Sequence, residues 1–365
     1  MKSYVQTISI FALFLLFKLC DNVYAQGIGV YAPLLGNGDA ITIATASSGI
    51  TDYRGLSGGN GNPALYNTGR NELLLEAEFW DGIPLQSGVR SPGARFGAGE
   101  TGYLVSTQNS SFMLAYIPRK HIHASAGPYG NSEKKDRLTS NRLETAYARQ
   151  FGDDFQTGIA VRWIRGEYAT GNLVDGAYDL ETIYRPSLIE IAIGINKQYN
   201  SFSLGAVLES PATGVYEKGI DSNIGGARYK TKHNFEGAPS IRLGAGRNGE
   251  LVNFDSDVLF RPVESVTGDN TVFDAEGYIF EYGISTSQSF FQDLNMYSGA
   301  RLRIGDLSAG NSLIAGIGAA YFVNNDLTIN GGMGILIPVS HGYEGATLED
   351  MLPFTLRIGV LYHGE

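Results

Sequence analysis

From Asn71 onward the chain alternates apolar and polar positions with a period of two. In "DFQTGIAVRWIRG", Phe155, Thr157, Ile159, Val161 and Trp163 share one face, and Gln156, Gly158, Ala160 and Arg162 share the other. "SLIEIAIGINK" sets Ile189, Ile191, Ile193 and Ile195 against Glu190, Ala192, Gly194 and Asn196. "LVNFDSDVLFR", "LNMYSGARLRI" and "FTLRIGVLY" repeat the scheme up to Tyr362. Such segments are strands with one greasy face and one that tolerates charge and glycine.

Fourteen strands are predicted, starting near Asn71, Arg95, Ser111, Ser140, Phe155, Tyr184, Ser201, Ala238, Leu251, Ala275, Asp293, Asn311, Leu327 and Leu352. The even-numbered connections are short, among them "QNS", "GDD", "KQYN", "RNGE", "SFFQD" and "NND". The odd-numbered ones are mostly long and polar, such as "RKHIHASAGPYGNSEKKDRLT" and "SPATGVYEKGIDSNIGGARYKTKHNFEG". Tight turns on one side and long loops on the other mark a transmembrane antiparallel β-barrel of 14 strands, with all-β architecture over 71–365. Lipid cannot satisfy an unpaired backbone amide, so only a closed sheet spans by strands. A secreted β-sandwich or solenoid would alternate too, but would not need strands of about ten residues with outward faces mostly apolar. An even strand count places both termini on the periplasmic side.

Composition agrees with this picture. The 365 residues include 48 Gly, 21 Tyr and 18 Phe with 18% charged residues, a mix that suits strands and turns. Residues 1–25 read as an export signal: Lys2, an apolar run from Ile8 to Phe17, and Val23-Tyr24-Ala25 at the cleavage positions. Cys20 is the only cysteine, and Lys18 and Leu19 before it do not suit lipidation. The mature chain then has no disulfide and no thiol nucleophile. With 37 acidic against 27 basic residues, nucleic acid is not an expected partner. The compartment implied is the outer membrane of a Gram-negative bacterium, with its lipid and lipopolysaccharide as surroundings and the chain as a monomer.

Residues 26–70 show little periodicity, yet they are too apolar for disorder and too many for a lead-in. A barrel of fourteen strands is too wide to fill itself with side chains, so this segment is expected inside it as a plug. Its most glycine-rich stretch, "GLSGGNGNPALYN", runs from Gly55 to Asn67. Gly58, Gly59 and Gly61 permit positive-φ turns, and Pro63 fixes the next dihedral. The alternative for this stretch is a surface turn before the first strand.

Asn62-Pro63-Ala64 followed by Leu65, placed in a plug-like segment just before the first of fourteen strands, resembles the outer-membrane family of long-chain fatty acid and aromatic hydrocarbon transporters, the FadL and TodX type. The resemblance covers the mature chain in architecture and those four residues in motif. It implies that Asn62, Pro63 and Ala64 belong to the plug. It also implies passive uptake of hydrophobic small molecules, without cofactor or energy source, and a kinked third strand that opens the wall sideways. The third strand here, "SFMLAYIPRKHIH", contains Pro118, which cannot donate to a ladder. Pro118 either contributes to a lateral opening or begins the long second loop. The chain departs from the usual outer-membrane barrel at its end, where Tyr362 is followed by His363, Gly364 and Glu365.

No catalytic, metal or substrate-binding residue is assigned. Four of the five histidines, His121, His123, His233, His341 and His363, lie in or beside predicted loops, and a two-residue His121/His123 pair lacks a third ligand. Asp255 and Asp257, near Arg261, Arg301 and Arg303, read as a solvated lumen wall paired across strands. Tyr129, Tyr168, Tyr178 and Tyr216 are placed in loops, where they could line a greasy entrance. A second class shares this architecture: a non-transporting barrel subunit that binds a protein partner, as in a secretion system.

Overall fold

The computed structural model describes residues 39–51, 55–56, 61–84, 95–126, 132–174, 177–222, 228–236, 239–249, 252–263, 277–305, 311–338 and 351–364. The signal at 1–25, residues 26–38 of the plug segment, Gly58, Gly59, Tyr129 and His341 lie outside them.

Sixteen strand segments are present among the described residues. They are β1 (Asn71–Pro84), β2 (Arg95–Ser106), β3 (Ser110–Ala126), β4 (Ser132–Phe151), β5 (Phe155–Val174), β6 (Ala177–Tyr199), β7 (Phe202–Glu209), β8 (Thr213–Ser222), β9 (Arg228–Glu236) and β10 (Ser240–Arg247). Then follow β11 (Val252–Val263), β12 (Gly277–Phe291), β13 (Leu294–Gly305), β14 (Ser312–Asn324), β15 (Leu327–Pro338) and β16 (Met351–Gly364).

Every connection is antiparallel, and β16 closes on β1 from Asn71↔Gly364 to Pro84↔Met351. The sheet has no free lateral edge at the level of this closure, which removes the sandwich alternative. The sixteen segments make fourteen wall strands. β7 and β8 are the inner and outer halves of one strand, both paired with β6, and β9 and β10 are the halves of the next. The inner and outer halves meet at the same height, where Glu209↔Ser240 gives way to Thr213↔Glu236, with Ser210–Ala212 outside the ladder on the first strand. Ser210 bridges the interruption toward β6: its N donates to the Ile191 carbonyl at 2.7 Å and its Oγ accepts from Ile191 N at 2.9 Å.

Period two translates directly into inside and outside. On β6, Ile189, Ile191, Ile193 and Ile195 are exposed, whereas Glu190, Ala192, Gly194 and Asn196 are buried. The same holds for Ile159, Val161 and Trp163 on β5 against Gly158, Ala160 and Arg162. An apolar exterior over a polar, glycine-rich interior is the inverse of a water-soluble fold and suits a wall surrounded by lipid. No described helix is long and apolar enough to cross a membrane.

Two short helical pieces lie inside the wall. Helix α1 (Ala40–Ala44) starts at Asp39, whose Oδ1 caps the Ile41 and Thr42 amides at 2.7 and 3.0 Å. A single 3₁₀ turn covers Pro63–Tyr66, with Asn62 as its cap and Pro63 at its first position. All nine residues of these two pieces are buried.

Candidate functional site

The lumen is occupied by residues of the amino-terminal segment, tied to the inward side chains of strands around the wall. The Ala40 amide donates to Glu76 Oε1 of β1 at 2.8 Å. The chain then reverses through Ala46 and Ser47, both left-handed at φ 52° and 57° without being glycine. Arg301 of β13 donates from Nε to the Ala46 carbonyl at 3.0 Å, and the guanidinium groups of Arg301 and Arg242 both reach the Ser47 carbonyl. The wall thus holds a backbone reversal that non-glycine residues adopt only under constraint. Gly49 N donates to Asp257 Oδ2 at 3.1 Å, Thr51 N to Asp255 Oδ2 at 3.2 Å, and Leu56 N to Glu72 Oε2 at 2.8 Å.

Asn62, Pro63 and Ala64 sit against β5, β6 and β7. Asn62 accepts from Ala64 N at 3.1 Å, closing the 3₁₀ turn, while its Nδ2 donates to the Ile50 carbonyl at 2.8 Å and the Ile195 carbonyl of β6 at 3.2 Å. One amide side chain therefore joins two stretches of plug to the wall. The contact is close enough to require glycine opposite. A Cβ on Gly158 would strike the Pro63 carbonyl and stand 2.6 Å from the Ala64 amide. One on Gly194 would strike Asn62 Oδ1 and stand 2.8 Å from Pro63 Cδ. Gly299, Gly316 and Gly332 meet the backbone of α1 and Thr45 in the same way. The inward glycines noted in the strand pattern are the surface on which the plug rests.

Between these contacts runs a belt of buried ion pairs. Arg162 is held by Glu144 (3.1 Å), Glu190 (2.6 Å) and Glu209 (2.6 Å). Arg301 lies between Asp257 (2.8 Å) and Glu281 (3.0 Å), Arg242 reaches Asp257 at 2.9 Å, and Arg357 reaches Glu78 at 3.1 Å. Arg162 meets three carboxylates, Arg301 and Arg357 two each, and Arg242 binds both oxygens of Asp257, which makes burial of these charges tolerable. Tyr66 joins the belt by donating to Glu144 Oε1 at 3.2 Å; burial, with Glu144 and Glu100 nearby, holds its phenol well above the usual range.

Several expectations change here. Asp255 and Asp257 are buried, not solvated: they bind plug amides, and Asp257 also pairs with Arg242 and Arg301. Arg303 and Arg261 turn instead to Glu281 (3.8 Å) and Glu209 (2.8 Å). Tyr168, Tyr178 and Tyr216 lie in strands β5, β6 and β8, because these strands run farther outward than their apolar alternation does. His121, His123 and His233 are likewise in strands, and His363 on β16 lies 3.3 Å from Thr328 Oγ1. Among the described residues no group of three histidine, cysteine or acidic side chains is arranged to hold a metal. The inward glycine pattern was visible in the sequence; the arginines that hold the Ala46–Ser47 carbonyls had no local signal.

Pro118 lies within β3, not at its end. On the β4 side the ladder runs unbroken through Pro118↔Asn141 to Ala126↔Glu133. On the β2 side it stops at Thr101↔Tyr116, two residues before Pro118, although β2 continues to pair with β1 as far as Arg95↔Trp80. A seam therefore opens between β2 and β3 on the outward side of Tyr116.

No protein-family profile and no curated protein sequence matches this chain. Solved structures do. The CymD monoaromatic hydrocarbon channel superposes with a TM-score of 0.68 at 13% identity, over 90% of this chain and 98% of that one. A Pseudomonas aeruginosa FadL homologue gives 0.63 at 10% identity, over 89% and 98%. The P. putida toluene transporter TodX gives 0.58 at 13% identity, over 91% and 99%. With a closed wall of fourteen strands, a plug in its lumen and this correspondence along nearly the whole length, the chain has the FadL-type barrel fold.

Proposed function

We propose that this chain is an outer-membrane channel for passive uptake of hydrophobic small molecules, with the seam at Pro118 as the route from lumen to lipid. The observation that carries the reading is the one-sided ladder of β3, which leaves β2 and β3 unpaired outward of Thr101↔Tyr116 beside a blocked lumen. A plug fastened at so many points stands against an open water-filled pore, and a hydrophobic compound gains by leaving sideways into lipid. The solved structures of similar fold are described as hydrocarbon channels and a toluene transporter, which supports hydrophobic cargo in general and no compound in particular. In this reading residues 1–25 are removed on export, 26–70 form the plug with Asn62, Pro63 and Ala64 at its seat, and 71–365 form the barrel. The chain acts as a monomer with both termini periplasmic, and it performs no catalysis.

The test closes the seam. Ala98→Cys, exposed on β2, and Pro118→Cys, joined by a short bis-maleimide, should abolish uptake of a lipophilic fluorescent dye by cells expressing the protein, while each single variant still admits it. Undiminished uptake in the cross-linked protein would reject the lateral route. Equal dye entry with and without the protein would reject transport altogether.

A further inference from the structure

The wall has a second place where a ladder ends early on one side of a strand. Strands β10 and β11 pair from Arg247↔Phe254 outward to Ile241↔Phe260. Two residues farther out the same register would set Pro239 opposite Pro262, and neither can donate a ladder hydrogen bond. On its other side β11 stays paired with β12 through Pro262↔Tyr278 to Val263↔Gly277. The outer strand β9 pairs with β8, from Thr213↔Glu236 to Asp221↔Arg228, and among the described residues its other edge has no partner. Between this seam and the one at Pro118 lie β3, β4, β5, β6, the β7–β8 strand and the β9–β10 strand, which leaves eight of the fourteen on the other way round. The two seams thus face nearly opposite sectors of lipid.

This second seam lies between the lumen above the plug and an apolar exterior. The plug meets β10 at Gly246, Gly244 and Arg242 through Thr51, Ile50 and the Ser47 carbonyl, and the next inward-facing position is Ser240. Outside, Leu208, Ile241, Phe260 and Phe280 form an exposed row across β7, β10, β11 and β12 at the last pair of the ladder. Ile189 on β6, four residues outward of Ile193, the partner of Leu208, is exposed as well. The apolar band therefore continues past the point where the ladder ends. In place of backbone bonds a side chain spans the gap. Arg261 of β11 reaches across β10 with Nη2, 3.4 Å from Ser240 Oγ and 2.8 Å from Glu209 Oε2 on β7. Its side chain is 40% exposed, against 4% for Arg162 and 3% for Arg301, and Glu209 is held independently by Arg162 at 2.6 Å. A bridge this exposed is weak and readily broken, and its loss strands no buried charge.

We propose that β10 and β11 form a second lateral gate, shut by the bridge from Arg261 to Glu209, which on release lets hydrophobic cargo pass from the lumen above the plug into lipid. The inference rests on the uptake reading and adds an exit that needs no movement of the plug. The guanidinium standing in the mouth turns an apolar molecule back; once it swings away, the opposed prolines leave no backbone ladder to separate.

The experiment uses the full-length Ala98→Cys/Pro118→Cys protein with its bis-maleimide in place, in cells given the same lipophilic dye. Adding Arg261→Leu should raise uptake about tenfold above the cross-linked level. Adding Pro239→Val and Pro262→Val as well supplies the missing ladder donors and should remove that gain, which it would not do if Arg261→Leu had merely loosened the plug. Arg261→Gln, which keeps much of the reach without the charge, should give a smaller gain and serves if the leucine variant does not fold. No gain in a folded Arg261 variant, or a gain that the proline replacements do not reverse, overturns the gate and leaves the exit at Pro118 standing. Full dye entry by the cross-linked protein with Arg261 intact rejects the exit at Pro118. If the proline replacements leave that entry unchanged, the second gate is rejected too; if they stop it, the seam is open with Arg261 in place and the latch is wrong. Equal entry with and without the protein removes the uptake reading and this inference together.

Discussion

Gly158→Ala is the smallest change that should lift the plug off its seat. The added methyl points into the lumen and meets the Pro63 carbonyl and, at 2.6 Å, the Ala64 amide. These are backbone atoms, so no rotamer change relieves the clash; either the 3₁₀ turn moves or β5 bends, and β5 is clamped by ladders to β4 and β6 along its length. Overpacking of this kind costs about 1–3 kcal/mol, and the rigid partners argue for the middle of that range or above. About 2 kcal/mol corresponds to roughly thirtyfold in the balance between seated and unseated plug. The outer face of the barrel is untouched, so the cost should fall on the plug alone. Amide hydrogen exchange reads it directly: Leu65 N donates to the Asn62 carbonyl and Gly55 N to the Leu65 carbonyl, each at 3.0 Å. Both amides should exchange about thirtyfold faster in the variant, with the β5/β6 ladder amides unchanged. Gly97→Ala, with nothing within 4 Å of the new Cβ, is the matched control. If Leu65 and Gly55 exchange at the same rate in Gly158→Ala as in the unaltered chain, the plug does not rest on β5 and the account of the inward glycines is wrong.

Asn62→Ala removes a turn cap and two donated hydrogen bonds, and should loosen the same amides by about 1–2 kcal/mol; Asn62→Asp, which keeps the cap at Ala64 N but not the donors to Ile50 and Ile195, should fall between. Arg301→Met removes the donor to the Ala46 carbonyl, to Glu281 and to Asp257, and one of two to the Ser47 carbonyl, and should cost about 3 kcal/mol in urea unfolding from vesicles, with a smaller loss when Asp257→Asn is added. Ile193→Arg places a charge on an outward position of β6 and should destabilise the refolded barrel by about 2–4 kcal/mol, read from the same unfolding curves. A comparable loss on adding Arg at Val323, exposed at the β14 end near a tight turn, would mean that the apolar band has been placed wrongly.

The wall was legible because its physics is local. Period two states which side chains meet lipid, and the contrast of short and long connections states how the strands are joined. The starts expected at Asn71, Arg95, Phe155 and Leu327 are where β1, β2, β5 and β15 begin. The outer portions of β4 and β6 were placed too short, at Ser140 and Tyr184 instead of Ser132 and Ala177, since above the membrane both faces are wet and alternation lapses. The stretch around "GGARYKTKHNF" hid β9 for the same reason. The plug contacts were legible only in outline. Asn62-Pro63-Ala64 announced a turn, and the inward glycines announced space, but their union depends on residues 36 to 255 positions apart, as in Ala40 with Glu76 and Arg301 with Ala46. The bulge of β2 at Gly99–Glu100, against Glu76 of β1, left no trace beyond one glycine, because a bulge is defined by the partner strand.

The pairing of β16 with β1 has a consequence for how the molecule is made. The ring is sealed by β1 and β16, so it stays open until β16 is available to pair. The segment that fills it precedes the first strand and must already be inside when the two ends meet, or be shut out. Assembly is thus a problem of timing as well as of pairing: contacts between residues nearly three hundred positions apart come last, after the longest loop-closure penalty in the chain has been met. A variant whose amino-terminal segment docks too slowly would yield an intact but hollow cylinder, leaky from the moment it closes.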